Sequence, residues 1–420
     1  MSDTEISLFI AGDAIITVPW SDCDEPAFRA LVDEMRACDL TLMNLETVIR
    51  SDKGYPQADS GGTWTSSPPE IASELAWAGV NMVSHANNHA FDYGTGGILE
   101  TLHHVEQAGI VLSGSGPDLQ AARAPRHVQA KGAMVGHVSL AASFVPYGRA
   151  SHSRPDVAGR PGINPLRIDK DTVFVVPDYV VGLLKRFDAM CGKSTHRYVE
   201  KRFTKAHLTL EAGDRFGVLK RGRLRESDRA GNLEAIRSCS DAADLTIVSI
   251  HSHDQRKWLR RFILETIEAG ADIVLVHGVH HVRGVEIVSG KPVFHGLGDF
   301  VYQTGRISAF PSDAYEKLGM DAGSSPEDFI KESRRRSRLW RRSTYEGCAA
   351  RIDWKNGELI GLQLLPVDLG FDGPDTRLGR PHRADPHLSR RIIERIAAAS
   401  RKLGTRVRFV ESESVGRVEL

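Results

Sequence analysis

Short apolar runs alternate with amphipathic stretches along this chain, and most of the apolar runs end in polar residues. ISLFIAGDAIIT (residues 6–17) reads as a strand that stops at Gly12-Asp13, and DEPAFRALVDEMRACD follows as a helix. LTLMNLET (residues 40–47) is a second short strand. PPEIASELAWAG carries proline near its start and glycine at its end, which is ordinary helix punctuation. VNMVSHANNHA then reads as strand and loop, GTGGILETLHHVEQAG as helix, and IVLSGSG as strand. The pattern resumes with AADLTIVSIHSHD as strand and loop, WLRRFILETIEAG as helix, and ADIVLVHGVHH as a buried strand that empties into histidines. Alternating strands and helices predict an α/β protein, with ligands at the carboxyl ends of the strands.

Three further segments complete the reading. VRGVEIVSGKPVFHGLGDFVY predicts a hairpin around Ser289-Gly290, and CAARIDWKNGELIGLQLLPVDL another at Asn356-Gly357. SRRIIERIAAASRKLGTRVRFV predicts an amphipathic helix closed by Gly404 and then a strand. Two stretches break the alternation, at about residues 148–232 and 303–345, and read as insertions into one domain spanning 1–420. The first holds a moderately helical YVVGLLKRFDAM and the charged KRGRLRESDRAGNLEA, and reads as an insertion or lid. The second holds KESRRRSRLWRRS, which is either a solvated helix face or, around Arg334 to Arg342, a strip reaching an anionic substrate.

Composition narrows the classes. The chain has 420 residues, 41% of them hydrophobic, enough for a large core. Lys+Arg and Asp+Glu both total 54, so no global field draws nucleic acid or an anionic membrane. No apolar run is long enough to span a bilayer, and MSDTEISLFIAGDAIIT lacks the basic and long apolar regions of a signal peptide. Cys23, Cys38, Cys191, Cys239 and Cys348 are scattered without C-x-x-C spacing, as isolated thiols in a reducing compartment. The expectation is a cytoplasmic protein.

The polar strand ends supply the chemistry. In chain order they offer Asp13, Glu46, Asn88 with His89, His251, and His277 with His280. Carboxylate, carboxamide and imidazole form a mixed oxygen and nitrogen set, suited to Mn, Fe or Zn more than to Ca or a thiolate centre. Taken singly each has a plain structural explanation. Asp13 would equally cap a loop, NLET resembles a helix start, and His251 and His253 would serve as loop histidines. His103 and His104 sit inside a helix, where a structural role is the ordinary one. Three histidines after IVLV are harder to satisfy by packing alone, and the ordered set is stronger than any member.

AGDAI, MNLET, HANNHAFDYG, SIHSHD, ADIVLVHGVHHVRGVE and KPVFHGLGDFV run in this order over roughly residues 6 to 303. In these segments the chain resembles the bacterial capsule-synthesis, or poly-gamma-glutamate biosynthesis, protein family (CapA-like), a branch of the calcineurin-like metallophosphoesterase superfamily. PVDLGF and RLGRPHRAD in the C-terminal part resemble it as well. The resemblance implies a four-layer α/β/β/α sandwich of the metallophosphoesterase type, against which a TIM barrel is the main competitor. It implies one or two divalent transition-metal ions, Asp13 and His280 on the first and Asn88, His251 and His277 on the second. Glu46 stands where the superfamily has a bridging aspartate. His89 would protonate the leaving group without binding metal, and Asp92 would orient it.

Two departures bear on that set. Ile15 stands where phosphoesterases carry a histidine two residues after the first aspartate, which predicts a weakly held first ion or a single-ion arrangement. His277-Gly278-Val279-His280-His281 lacks the usual proline, and counting forward to Gly284 and Glu286 selects His280 over His281. The implied activity is hydrolysis by a metal-activated hydroxide, on a phosphoester or other anionic small molecule. Hydrolysis of a gamma-glutamyl or other amide bond is the rival. A non-catalytic, metal-containing accessory role in polymer or metabolite biosynthesis is the second alternative.

Overall fold

The computed structural model describes residues 5–51, 54–190, 197–199, 202–205, 208–254 and 257–420. Of the five cysteines, Cys191 lies outside them; Cys23, Cys38, Cys239 and Cys348 are free thiols. The chain divides into two compact units, residues 166–229 and the remainder.

The larger unit is mixed α/β, built on two large sheets. The first has ten strands, with Glu5–Ile15 near its middle. Parallel to it on one side run Leu40–Leu45, Met82–Ser84 and Val111–Ser113. On the other side the hairpin of Glu346–Lys355 and Glu358–Asp368 is antiparallel, and Asp299–Tyr302 pairs with the carboxyl end of Glu5–Ile15 in parallel. The second sheet has six strands, with Ala133–Ala141, Leu245–His251 and Ile273–His277 parallel at its centre. No closed ring of alternating parallel strands and helices is formed among the described residues, so the barrel competitor is excluded.

Side-chain alternation explains how the sheets are covered. Ile6, Leu8 and Ile10 share a core with Leu245, Ile247, Ile273 and Leu275 of the second sheet. From the opposite face of the same strand, Phe9 and Ala11 pack on Phe28, Leu31, Val32 and Met35 of helix Pro26–Ala37. Ile71, Leu75, Ile98 and Val105 of helices Glu70–Trp77 and Gly94–Gln107 extend this layer. Both predicted hairpins form, and Asn356 and Gly357 take positive φ of 52° and 86° as the tight turn requires.

The smaller unit holds a five-stranded sheet and helix Asp178–Met190. Ile168–Val176 pairs antiparallel with Gly217–Leu224, from Ile168 opposite Leu224 to Val175 opposite Gly217. Its strands were not expected, because Lys220, Arg221 and Arg223 break up the apolar residues of GVLKRGRL.

One backbone approach positions the site. The Asp13 N–H donates to the Gly298 carbonyl at 3.1 Å, and a Cβ on residue 12 would fall 1.9 Å from that oxygen. No side chain fits there. Gly12→Ala is therefore expected to separate the Glu5–Ile15 and Asp299–Tyr302 strands and cost about 3 kcal/mol or more. A fall in the urea midpoint at unchanged slope is the checking measurement.

Candidate metal centre

Parallel strands in register line up their side chains as a row, wherever each strand begins or ends. Asp299, Asp13 and Asn44 are successive partners across the first sheet, and His251 pairs with His277 across the second. Glu46 follows one residue after the Leu40–Leu45 strand, its N–H donating to the Ala14 carbonyl at 3.0 Å. The acids Asp13, Glu46 and Asp299 are all buried, and together with His280 they place ligand atoms within 4.8 Å of one another. Glu46, His253 and His280 form an overlapping group of the same kind.

The hydrogen bonds show which atoms are held and which are left over. Asp13 Oδ1 accepts from Asn44 Nδ2 at 2.8 Å and lies 3.3 Å from His277 Nδ1, while Oδ2 accepts from the Gly278 N–H at 2.9 Å. His280 Nδ1 lies 2.8 Å from Asp299 Oδ1, which fixes the ring. His251 Nε2 is 3.5 Å from Glu46 Oε1 and 3.4 Å from His253 Nε2. Both Glu46 oxygens, Asn88 Oδ1, His277 Nε2 and Asp299 Oδ2 are buried with no hydrogen-bond partner among the described residues. Each such orphan costs roughly 1–3 kcal/mol. A divalent cation satisfies carboxylate, carboxamide and imidazole lone pairs together, so the residues present fit the metal that the sequence implies.

Charge follows the same logic. Burial and the Asp13 charge push the Glu46 carboxyl well above its ordinary range, against the opposing pull of His280. Burial likewise raises Asp299, to about 6, despite His280. Burial opposes ionisation of Asp13, but the His277 hydrogen bond and the electrostatic pull of the surrounding imidazoles outweigh it and hold this acid low. Burial and neighbouring imidazoles keep His251 neutral and able to coordinate. Burial alone would do the same to His280, but Asp299, Glu46 and Asp13 reverse it and raise His280 to about 10. Without a cation, this histidine is the positive charge that balances the acids.

The Asn-rich loop divides its labour. His85 is fully buried with Nδ1 2.8 Å from Ser115 Oγ, an anchor in the protein interior. Asn87 staples the turn: its Oδ1 accepts from the His89 and Ala90 N–H groups at 3.1 and 2.9 Å, and its Nδ2 donates to the Leu45 carbonyl at 2.8 Å. Asn88 and His89 line a cavity of about 330 Å³, shared with His253, Gly278 and His280. His89 Nδ1 lies 2.8 Å from Asp92 Oδ2, and that oxygen also accepts from the Thr65 N–H at 2.8 Å. The parallel pairing of Val48–Ile49 with Ser66–Ser67 holds Thr65 near Glu46.

The structure brings Asp13, Glu46 and His280 into one acid cluster, with His251 against Glu46 and His277 against Asp13. His281 stands outside those groups, half-buried. Sequence reasoning missed Asp299, Asn44 and Asn87. Asp299 carried a signal: Gly298-Asp299 repeats the Gly12-Asp13 pair, here at the start of a strand.

The family described as bacterial capsule synthesis protein PGA_cap matches residues 7–304. The chain belongs to this CapA-like family, within the calcineurin-like phosphoesterase superfamily. It is 30% identical over 433 residues to the Sinorhizobium fredii protein y4sH, covering 99% of this chain and 93% of that one. To a probable polyglutamine synthesis accessory protein of Mycobacterium tuberculosis it is 28% identical, covering 93% and 78%. The PGA biosynthesis protein CapA of Bacillus subtilis is 22% identical, covering 66% and 57%. A solved structure of a hypothetical protein from Thermus thermophilus aligns with a TM-score of 0.39 at 13% identity, covering 86% of this chain and 99% of that one.

Glu46→Gln separates the electrostatic and ligand roles of the cluster. Removing one of three crowded acids is expected to raise the unfolding temperature of metal-stripped protein. It is also expected to abolish the stabilisation by added Mn²⁺, which for a functional site reaches about 2.7 kcal/mol at a hundredfold excess over Kd. Thermal unfolding with and without Mn²⁺ reads both effects.

Proposed function

We propose that this protein is a metal-dependent hydrolase acting on a phosphoester or another anionic small molecule, built as a four-layer α/β/β/α sandwich of the metallophosphoesterase type. The observation that carries this reading is the convergence of unpaired buried ligand atoms on Glu46, Asn88, His277 and Asp299 beside the His89–Asp92 pair. Asp13, Glu46, Asn88, His251, His277 and His280 would hold one or two Mn, Fe or Zn ions, and Asp299 orients His280. Bound there, a divalent ion supplies Lewis-acid activation and neutralises substrate charge.

The chain's own groups do the rest. Asp92 accepts from His89 Nδ1 and so directs Nε2 as the atom that hands a proton to the departing oxygen. Gly62 lies against that ring, where a Cβ would sit 3.3 Å from His89 Cε1. The same site would serve attack on the carbonyl of a gamma-glutamyl amide. The name of the Mycobacterium tuberculosis relative favours a second reading, a metal-containing accessory protein without turnover. No helix among the described residues is long and apolar enough to cross a membrane.

The two neighbours Asn88 and His89 give the test. Asn88→Ala is expected to lower metal occupancy. His89→Ala is expected to keep most of the metal and slow single-turnover cleavage by ~10²–10⁴-fold. Metal analysis beside single-turnover kinetics decides it; metal lost in proportion to activity in His89→Ala would reassign that histidine as a ligand. Metal-loaded protein inert toward both phosphoesters and gamma-glutamyl amides would favour the accessory reading.

A further inference from the structure

The stretch KESRRRSRLWRRS belongs partly to helix Pro326–Arg336, and helical spacing sorts its side chains into two groups. Ile330, Ser333 and Arg334, with Ser337 just beyond the helix, face the cavity that His89 and His280 also line. Arg335 and Arg336 face away and both pair with Glu332. One arginine of the helix therefore turns inward. The helix is fixed in place by Phe329, which packs in a cluster with Val48, Trp64, Tyr93 and Tyr315. Those contacts tie it to the segments that carry Glu46, Thr65 and Asp92, so it forms a standing wall of the cavity.

Arg334 is shaped for recognition. Its guanidinium lies 4.7 Å from the Trp340 ring centre, and a Cβ on residue 305 would fall 2.4 Å from its Nη2, so Gly305 leaves room for it. Its ion pair with Asp375 is 3.6 Å long, and the Asp375 side chain is 85% exposed. A solvent-screened pair of this kind holds an arginine weakly. The aromatic and aliphatic side chains of Phe310, Leu339, Trp340 and Tyr345 line the same cavity.

We propose that Arg334 is a specificity-determining residue that binds a second anionic group of the substrate, separated by an apolar spacer from the linkage held at the acid and histidine cluster. This deepens the hydrolase reading and rests on its cavity being the substrate site. The class is a small molecule with two anionic ends, the second a carboxylate or a phosphate, since a guanidinium fork takes either. If Arg334 only braced the turn to Trp340, its loss would lower stability and leave ligand selectivity unchanged.

Calorimetric titration of the Mn²⁺-loaded full chain with non-hydrolysable probes tests this without requiring turnover. The probes are phenylphosphonate, 4-carboxyphenylphosphonate and 1,4-phenylenediphosphonate. Wild type is expected to bind one or both doubly anionic probes about 10- to 100-fold more tightly than phenylphosphonate. The stronger of the two identifies the second group as carboxylate or phosphate. Arg334→Ala is expected to erase that gap while changing phenylphosphonate affinity by no more than about twofold. Arg334→Lys, with charge but no fork, is expected to keep part of it.

The proposal is overturned if wild type shows no gap or binds none of the probes, or if the gap survives in Arg334→Ala. Equal weakening of all probes together with a lower unfolding temperature overturns it as well. Parallel assays on phenyl phosphate and 4-carboxyphenyl phosphate keep the two readings apart: a binding gap without turnover of either ester supports Arg334 and contradicts phosphoester hydrolysis.

Discussion

A carboxylate taken out of water must find a partner, and this fold brings three of them to one place. Asp13 and Asp299 meet as register partners of adjacent parallel strands, Glu46 follows the neighbouring strand directly, and each is less than 2% exposed. The donors around them satisfy Asp13 and half of Asp299 but neither oxygen of Glu46. A protein could remove this penalty with apolar residues of similar size. Keeping it makes sense when a cation completes the site, and the surrounding architecture is arranged to hold the unpaired atoms still. Gly12 lets two strands touch backbone to backbone, Asn44 and Gly278 aim Asp13, and Asn87 sets the loop carrying Asn88 and His89.

Much of this was legible in the chain. Apolar runs ending in Gly-Asp, Asn-Leu-Glu and His-Gly marked strand ends, and both hairpins followed from Ser289-Gly290 and Asn356-Gly357. The candidate ligands were visible as an ordered set of polar residues following buried strands, although each taken singly has a plain structural use. Other parts were hidden for physical reasons. The Ala133–Ala141 strand is interrupted by Gly136, His137 and Ser139, yet His137 is fully buried with its Nε2 2.9 Å from Ser249 Oγ. A polar pair inside a strand erases the apolar pattern that would announce it. Asn44 lay within a run read as an ordinary strand, and only the register beside Asp13 reveals its task. The direction of Arg334 likewise depends on where Phe329 packs, which no local pattern specifies.

The family relationship and the geometry meet at different levels. Membership of the capsule-synthesis family covers residues 7–304 and therefore the strands that carry the acid and histidine cluster. The helix that adds Arg334 to the cavity wall begins after that region, at Pro326. The wall is built from a segment outside the strands that carry the cluster, so it can change without disturbing them.

The central claim is that the unpaired atoms around Glu46 are metal ligands. Anomalous diffraction from crystals of the Mn²⁺-loaded protein, recorded on both sides of the manganese absorption edge, tests it most directly. The account predicts an edge-dependent peak at the Asp13, Glu46 and His280 cluster, with oxygen and nitrogen ligands and a free Nε2 on His89. A second peak nearby would add Asn88, His251 and His277 to the coordinated set. Fully loaded crystals with no peak there, or with manganese bound only at surface carboxylates, would contradict it.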